Sequence, residues 1–509
     1  MKMRVMAIIL CGLFIFPLFI SARSDENRQV EQSGASVFSE VDSYIAREMK
    51  RQRLPGLALG IIQGDRILYL KGYGQADSSG RPVTPETPFG LGSIGKSVTA
   101  IAVLQLVEAG KIDLDAPIQR YIPAQYKGAE FITVRQLLNQ TSGFTQISTF
   151  SNTLTSINDH YQDAIERNSL SYAKKFLKDT KQTEHPYRYS NANYVLLGYI
   201  VQQVSGQSYG DYVKKQIFDP LSMHDSYVSL DEAAAHGLAT PYRRIFGYNV
   251  AYDGPFVYIA GDSPAGYMYT SAKDMSHYLI AQMNGGRFEK DSVLTSESIR
   301  LMQTEPVPGT YAMGWSSDYI NDLQVIGSPG GLLGFQAQAF MVPEQQLGVI
   351  VFANVLDAID AAWPKTHVIT TTHIATGVIN KLNEQPIGGS GLSISQKYLL
   401  VNGLIIILSI WLLYSTARTA KRCFERRRDD HSVHTKISFG VISRIVLHFA
   451  PLFIILLLSL TQMVPLWHIA TIFQPDVVPW LKIMTGLMAL KGSMEIIRLK
   501  LLKVSMWRR

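Results

Sequence analysis

The stretch FGLGSIGKSVTAIAVLQL, residues 89–106, runs from a glycine-bearing loop into a long apolar segment whose one charged residue is Lys96. Its pattern predicts a buried helix with Ser93 exposed at the first turn. Lys96, three residues on, then shares that face about one turn away. A serine hydroxyl is a poor nucleophile until a neighbouring base takes its proton, and a partly desolvated lysine has its pKa drawn towards neutrality. The spacing alone is weak, because Ser171 and Lys174 match it as well. Those two sit among polar and charged residues on an ordinary amphipathic helix, whereas Ser93 opens a buried-type helix after a Gly-rich turn.

Two further segments have the same design of a loop leading into regular structure. In YRYSNANYVLLGYI, residues 187–200, Tyr189-Ser190-Asn191 precedes an apolar helix. A phenol near Lys96, held partly ionised, is a general base for Ser93, and Asn191 is a donor for a substrate amide carbonyl. The competing reading is a turn with an asparagine helix cap. In VIGSPGGLLGFQA, residues 325–337, closely spaced glycines beside a strand let backbone approach a reacting carbonyl. The N–H of Gly331 then pairs with that of Ser93 as an oxyanion hole. A plain tight turn is the alternative.

Outward from these segments the chain alternates helical and strand-like patterns without an internal repeat. Residues 37–53 have helical apolar spacing and stop at Pro55-Gly56. LALGIIQGDRILYLKGYG, residues 57–74, reads as two strands about Gly64-Asp65. FQAQAFMVPEQQLGVIVFANV, residues 335–355, reads as two more about Pro343-Glu344. Helical stretches lie between, around residues 98–110, 134–140, 194–206 and 272–286. Strands at both ends with helices between predict an α+β domain whose terminal strands share a sheet.

The two ends of the chain read differently from its middle. Residues 1–24 have Lys2 and Arg4 ahead of an uncharged apolar run and then small residues, the layout of a signal peptide or, failing cleavage, of an N-terminal anchor. The extracytoplasmic domain is expected over 25–385, with a Gly/Ser/Pro-bearing linker at 386–397. Twenty uncharged positions at 398–417 then suffice for one bilayer crossing. Residues 418–440 read as a basic cytoplasmic loop, 441–464 as a second crossing, and 477–497, with Lys482, Lys491 and Glu495, as a weaker third in which Lys491 and Glu495 can pair. Basic residues after Ala417 and in the tail place both on the cytoplasmic side, leaving the N-terminal domain outside a multi-pass cell membrane protein.

The net charge of +7 follows from this division. Residues 386–509 hold 16 of the 48 Lys and Arg but 5 of the 41 Asp and Glu, so the remainder is acidic and no nucleic-acid partner is expected. The two cysteines, Cys11 in the signal and Cys423 in the basic loop, leave the exported domain without a disulfide. The eleven histidines show no metal-ligand spacing.

Taken together, the three segments resemble the β-lactamase-related serine hydrolases, which include class C β-lactamases, low-molecular-mass penicillin-binding proteins, and D-amino-acid-specific peptidases and esterases. The likeness extends over roughly residues 37–380 and includes VRQLLNQTSGF (134–144), SPAGYMYTSAKDMSHYL (263–279) and YAMGWSSD (311–318). It implies a β-lactamase/transpeptidase-like fold in which an antiparallel sheet of terminal strands meets a helical region. It implies Ser93 as the acylated nucleophile, Lys96 as its proton-transfer partner, Tyr189 as the base that also protonates the leaving group, and Asn191 as a substrate ligand, with no metal or organic cofactor.

One position departs from the family pattern. Where the third motif carries Lys or His, this chain has Ser328, ahead of Gly330 and Gly331, so recognition of a substrate carboxylate is in doubt. The overall plan of signal, hydrolase domain and three C-terminal crossings is similar to that of membrane-bound peptidases that mature colibactin-type prodrugs, and also to some staphylococcal penicillin-binding-like proteins. The expected function is therefore a peptidase or amidase on a small D-amino-acid-containing peptide or amide. An esterase or β-lactamase is the alternative from the same chemistry, and a non-catalytic penicillin-binding or envelope sensor the alternative from another class. Membrane lipid, through the C-terminal helices, is the other expected partner.

Overall fold

The computed structural model describes residues 37–123, 128–144, 163–176, 186–252, 259–304, 311–356, 359, 369–388, 391–428, 443, 445–453 and 474–504. The signal segment 1–24, with Cys11, lies outside them, as does most of the second predicted crossing.

Strand periodicity dictates the frame. β1 (Gly56–Gln63) and β2 (Arg66–Gly74) form the N-terminal hairpin. A smaller hairpin, β3 (Tyr242–Ile245) with β4 (Tyr248–Ala251), stands apart from the main sheet. β5 (Ser316–Ile320), β6 (Leu323–Leu332), β7 (Phe335–Val342) and β8 (Leu347–Ala353) follow, and the sheet order is β2-β1-β8-β7-β6-β5, antiparallel throughout. The first and last strands of the domain are thus direct neighbours, Leu57 opposite Ala353.

Both faces of this sheet are covered, because successive residues point to opposite sides. Leu57, Leu59, Ile61, Val349 and Val351 pack with Val41 and Ile45 of α1 (residues 37–52) and with Ile374 and Val378 of α6 (Thr370–Leu382). Ala58, Ile62, Ala339, Ile350 and Phe352 face the larger core, built on α2 (Gly95–Glu108), α4 (Asn191–Ser205) and α5 (Ala272–Met283). The amphipathic α3 (Ala164–Phe176) lies outside, with Ser171 and Lys174 exposed on it.

The glycine-rich segment 325–337, read from sequence as glycines beside a strand with a tight turn as the alternative, is largely strand itself: β6 runs through Gly330 and Gly331 to Leu332, and the turn comes at 333–334. Ser93 sits in a 3₁₀ turn, Gly92–Ile94, one step ahead of α2, rather than in the first turn of the α-helix.

After the domain, α7 spans Ile394–Arg428, so the last four linker residues and the start of the predicted basic loop, with Cys423, are helical. Among the described residues one helix is long and apolar enough to cross a membrane, Ile394–Glu425, with mean hydropathy 2.0. Of the three expected crossings, this supports the first, at 398–417. The predicted 441–464 crossing is described only at 443 and 445–453, which are helical, and 477–497 falls in α8 (Val477–Val504), which lacks the apolarity. α8 packs along α7 in the same direction: Trp480 Nε1 donates to Ser409 Oγ at 2.9 Å, Lys491 bonds Ser415 Oγ, and Cys423 Sγ lies 3.4 Å from the Met494 carbonyl. Lys491 also stands 5.6 Å over the Trp411 ring.

Asn354, fully buried just past β8, ties the sheet to the loop after β2. Its Oδ1 accepts from Gly56 N at 2.8 Å and its Nδ2 donates to the Gln75 carbonyl at 3.2 Å. Asn354→Ala leaves the buried Gly56 N–H without its partner and removes the bond to the Gln75 carbonyl, and is expected to cost about 1–3 kcal/mol, measured as a lower Tm with unchanged secondary structure by circular dichroism.

Candidate active site

Three chain segments converge on Ser93. Its Oγ lies 2.6 Å from the Tyr189 hydroxyl, and Lys96 Nζ is 3.1 Å away. Ser93 is half-buried and therefore reachable, while Lys96 is fully buried. The lysine is fixed by a second hydrogen bond, donated to the Ala265 carbonyl, and by the Tyr189 and Tyr194 rings, 5.0 and 5.9 Å from Nζ.

Burial without a carboxylate in hydrogen-bond contact decides the protonation states. Desolvation draws Lys96 down to about 7, opposed only by the field of Asp262. The same desolvation pushes the Tyr189 phenol up to about 12, with its bond to Ser93 acting the other way. The expectation that this phenol is held partly ionised is therefore corrected. At neutral pH the group with an available lone pair is the Lys96 amine, and the phenol keeps its proton to donate.

Backbone packing brings β6 to the same place. The β5 pairing stops at Gly327, so among the described residues, 328–332 of β6 have no strand neighbour on that side. That open edge lies against the turn that carries Ser93. A Cβ on Gly92, which has φ of +59°, would stand 2.4 Å from the Gly331 nitrogen, and one on Gly330 would stand 2.1 Å from the Leu91 carbonyl oxygen. Glycine is needed at both positions for backbone to touch backbone. Ser328 is mostly buried in β6, its Oγ 3.4 Å from the Pro329 carbonyl, so a neutral hydroxyl fills the slot. Asn191 is the first residue of α4, half-buried and two positions from Tyr189.

Several positioning groups escaped sequence reasoning. Gln140, buried at φ +60°, accepts through Oε1 from Ser190 N at 2.9 Å and from Asn193 Nδ2, and its carbonyl accepts from Arg188 N at 2.8 Å, so it pins both sides of Tyr189. Asp262 is buried in the 3₁₀ segment Ala260–Ala265, with Asn168 Nδ2 at 3.1 Å and the Tyr172 hydroxyl at 3.3 Å, and desolvation raises it to about 6. Tyr311 stands edge-on to Tyr189 and near Tyr187, forming an aromatic wall. The stretches 134–144 and 311–318 contained Gln140 and Tyr311, but only as parts of a family pattern, and Asp262 falls one residue before the stretch 263–279.

A family profile described as Beta-lactamase matches residues 41–367. Among curated proteins, the chain is similar to Protein flp of Staphylococcus aureus (strain NCTC 8325 / PS 47), 30% identical over 330 residues, which is 62% of each chain. It is also similar to Unguisins hydrolase ungD' of Aspergillus campestris (strain IBT 28561), 22% identical over 64% of this chain and 63% of that one. The match thus spans less than two thirds of these curated relatives. Among solved structures, an octameric penicillin-binding protein homologue from Pyrococcus abyssi superposes with TM-score 0.57 and 26% identity, covering 68% of this chain and 78% of its own. D-amino acid amidase from Ochrobactrum anthropi SV3 shares the fold, with TM-score 0.56 and 22% identity over 68% and 96%.

The electrostatics set a measurable pH dependence. The second-order rate of Ser93 phosphonylation by a fluorophosphonate is expected to rise with pH through about 7 as Lys96 loses its proton, and Ser93→Ala to remove the labelling. Asp262 stabilises the charged lysine, so Asp262→Asn should move that limb to lower pH; an unmoved limb, or one displaced upward, contradicts the coupling.

Proposed function

The chain belongs to the Beta-lactamase family, and from that premise we propose that it is a serine hydrolase acting through an acyl-Ser93 intermediate on amides of D-amino acids, its domain held outside a membrane by the C-terminal helices. The observation that carries this reading is the Ser93 hydroxyl lying between a buried amine at 3.1 Å and a buried phenol at 2.6 Å.

The reaction follows from those protonation states. Lys96, neutral above about pH 7, accepts the Ser93 proton as Oγ attacks the substrate carbonyl carbon. The developing oxyanion is met by the backbone N–H groups of Ser93 and Gly331, a role supported by the contact of Gly92 with the Gly331 nitrogen. As the C–N bond breaks, Tyr189 gives its proton to the leaving nitrogen, and the phenolate is reprotonated from the Lys96 ammonium by way of water, because the acylated Ser93 Oγ carries no proton to pass on. Water then loses a proton to the same relay, attacks the acyl carbon and releases the carboxylic acid and the serine. Asn191 donates to the substrate amide carbonyl.

Substrate class rests on two features. Ser328 offers a hydroxyl where a cation would bind a carboxylate, which favours substrates ending in an uncharged amide. The neighbouring D-amino acid amidase fold points to the same class. Tyr187 and Tyr311 supply an apolar surface beside Tyr189 for the side chain of such a substrate.

For the anchor, α7 supplies the apolar span. α7 and α8 run in the same direction, so a chain that crosses with both needs a return crossing between them. The helical residues 445–453 fit this, since Gly492 of α8 lies against His448 and Phe449. A reporter fused after Arg428 is expected to behave as cytoplasmic.

With acyl-D-amino-acid amides, their L enantiomers and nitrocefin offered to the full chain, the D-amides are expected to turn over fastest. Tyr189→Phe should lower kcat/KM by about 10²-fold or more. Preference for nitrocefin would favour a β-lactamase, and an unaltered Tyr189→Phe rate removes the phenol from the relay.

A further inference from the structure

The β3–β4 hairpin turns through two residues, Phe246 and Gly247, both in the left-handed region with φ of +50° and +89°. Asparagine and glycine suit such turns, and a bulky aromatic residue at positive φ is strained. The sequence therefore keeps a large apolar side chain at the tip against local preference. Contacts from other elements hold it there. The Phe246 N–H donates to the Asp476 carboxylate, 2.6 Å, just before α8, and its carbonyl accepts from Asn402 Nδ2 of α7 at 3.1 Å. The Gly247 carbonyl accepts from Arg53 at 3.2 Å, and a Cβ on Gly247 would stand 2.9 Å from Tyr398.

All of these bonds go to backbone, which leaves the side chains facing outward. Phe246 is 42% exposed, and Tyr248 and Val250, which share one face of β4, are 69% and 37% exposed. The Arg53 guanidinium stands 5.8 Å from the Tyr248 ring.

The level of this tip along α7 identifies what it meets. Asn402 is five residues past Lys397, the last charge before the twenty uncharged positions, which puts it about 7 Å along the helix axis at ~1.5 Å per residue. Around it Leu399, Leu400 and Leu404 are exposed. With α7 spanning a bilayer, that is the boundary between head groups and acyl chains, where aromatic rings paired with cations are favoured. The hairpin tip meets α7 at Tyr398 and Asn402, next to these exposed leucines.

We propose that the β3–β4 tip is a membrane-contacting foot: Phe246, Tyr248 and Val250 enter the interfacial layer of the lipid bilayer and fix the orientation of the hydrolase domain on the membrane. This rests on the membrane reading of α7, and the test separates the two. The full chain with Cys11 and Cys423 replaced by serine is given a single cysteine at Tyr248, at Leu408 within α7 or at Tyr319 on the exposed edge strand β5. Each is labelled with a nitrobenzoxadiazole dye and placed in phosphatidylcholine/phosphatidylglycerol nanodiscs. Fluorophosphonate labelling of Ser93 reports that each variant is folded.

Lipid bearing a doxyl group at acyl carbon 5 is expected to quench the dyes at 248 and 408 and to spare 319, whereas aqueous iodide quenches only 319. Quenching at 408 by lipid with 248 open to iodide overturns the foot and leaves the anchor intact. Protection of 248 from both quenchers also overturns it, because a protein surface such as a second copy then covers the tip. Failure of lipid quenching at 408 overturns the anchor and the foot together.

Discussion

The hydrogen bond from Lys96 to the Ala265 carbonyl is the contact from which the rest of the site follows, because it holds a primary amine in apolar packing without asking it to be charged. A carboxylate in the same place would have kept the ammonium and left no lone pair. A backbone carbonyl accepts equally well from a neutral amine, so Lys96 remains in position in both protonation states. Desolvation then settles the balance near neutrality. Asp262, in the same 3₁₀ segment as Ala265, opposes that shift through its field, and its own burial weakens the opposition.

Position alone would not suffice without the backbone contact on the other side of Ser93. The sheet ends its β5–β6 pairing at Gly327, and the unpaired continuation of β6 is used as a wall for the Ser93 turn. Two glycines make that possible, one on each side of the contact, since a methyl on either would push strand and turn apart. The six-stranded frame, with its first and last strands hydrogen-bonded to each other, therefore acts on the chemistry through β6. The helical region supplies Lys96 and Tyr189, and the sheet supplies the backbone opposite them.

How much of this was legible in sequence depends on whether the signal is periodic, local or relational. The two hairpins at 57–74 and 335–355 were readable because short apolar runs and a turn between them coincide. Ser93, Lys96 and Tyr189 were readable as residue types at helix starts, and their polar atoms lie within 3.1 Å of Ser93 Oγ. The opposite shifts of Lys96 and Tyr189 were not readable, because they depend on burial that no residue type reveals. Gly330 and Gly331 were read as glycines that let backbone approach, but a tight turn stayed open beside that reading, since sequence cannot distinguish glycines that bend a chain from glycines that let a strand be approached. Gln140 and the Ala265 carbonyl were invisible for a related reason: one works through an unusual backbone angle, the other has no side chain in the contact. In the C-terminal part an uncharged run marked α7 correctly but not its ends, because charged residues at 418–428 continue the helix on favourable propensity alone.

The hairpin that reaches the C-terminal helices also touches the catalytic frame, and the nature of the two contacts differs. At the tip, Asp476, Asn402 and Arg53 hold backbone groups of Phe246 and Gly247, so the orientation of the domain is set by directional bonds rather than by the short linker before α7. At the base, Tyr242 N bonds the Asn354 carbonyl at 2.8 Å, and Pro241 packs against Gly334 in the turn between β6 and β7. That turn lies beyond the β6–β7 register, which is continuous from Ile326 to Leu332. A force at the tip thus meets a ladder of backbone bonds before it reaches Gly331. On the proposed membrane reading, such an arrangement lets the bilayer set how the domain stands while the distances around Ser93 remain those of the sheet.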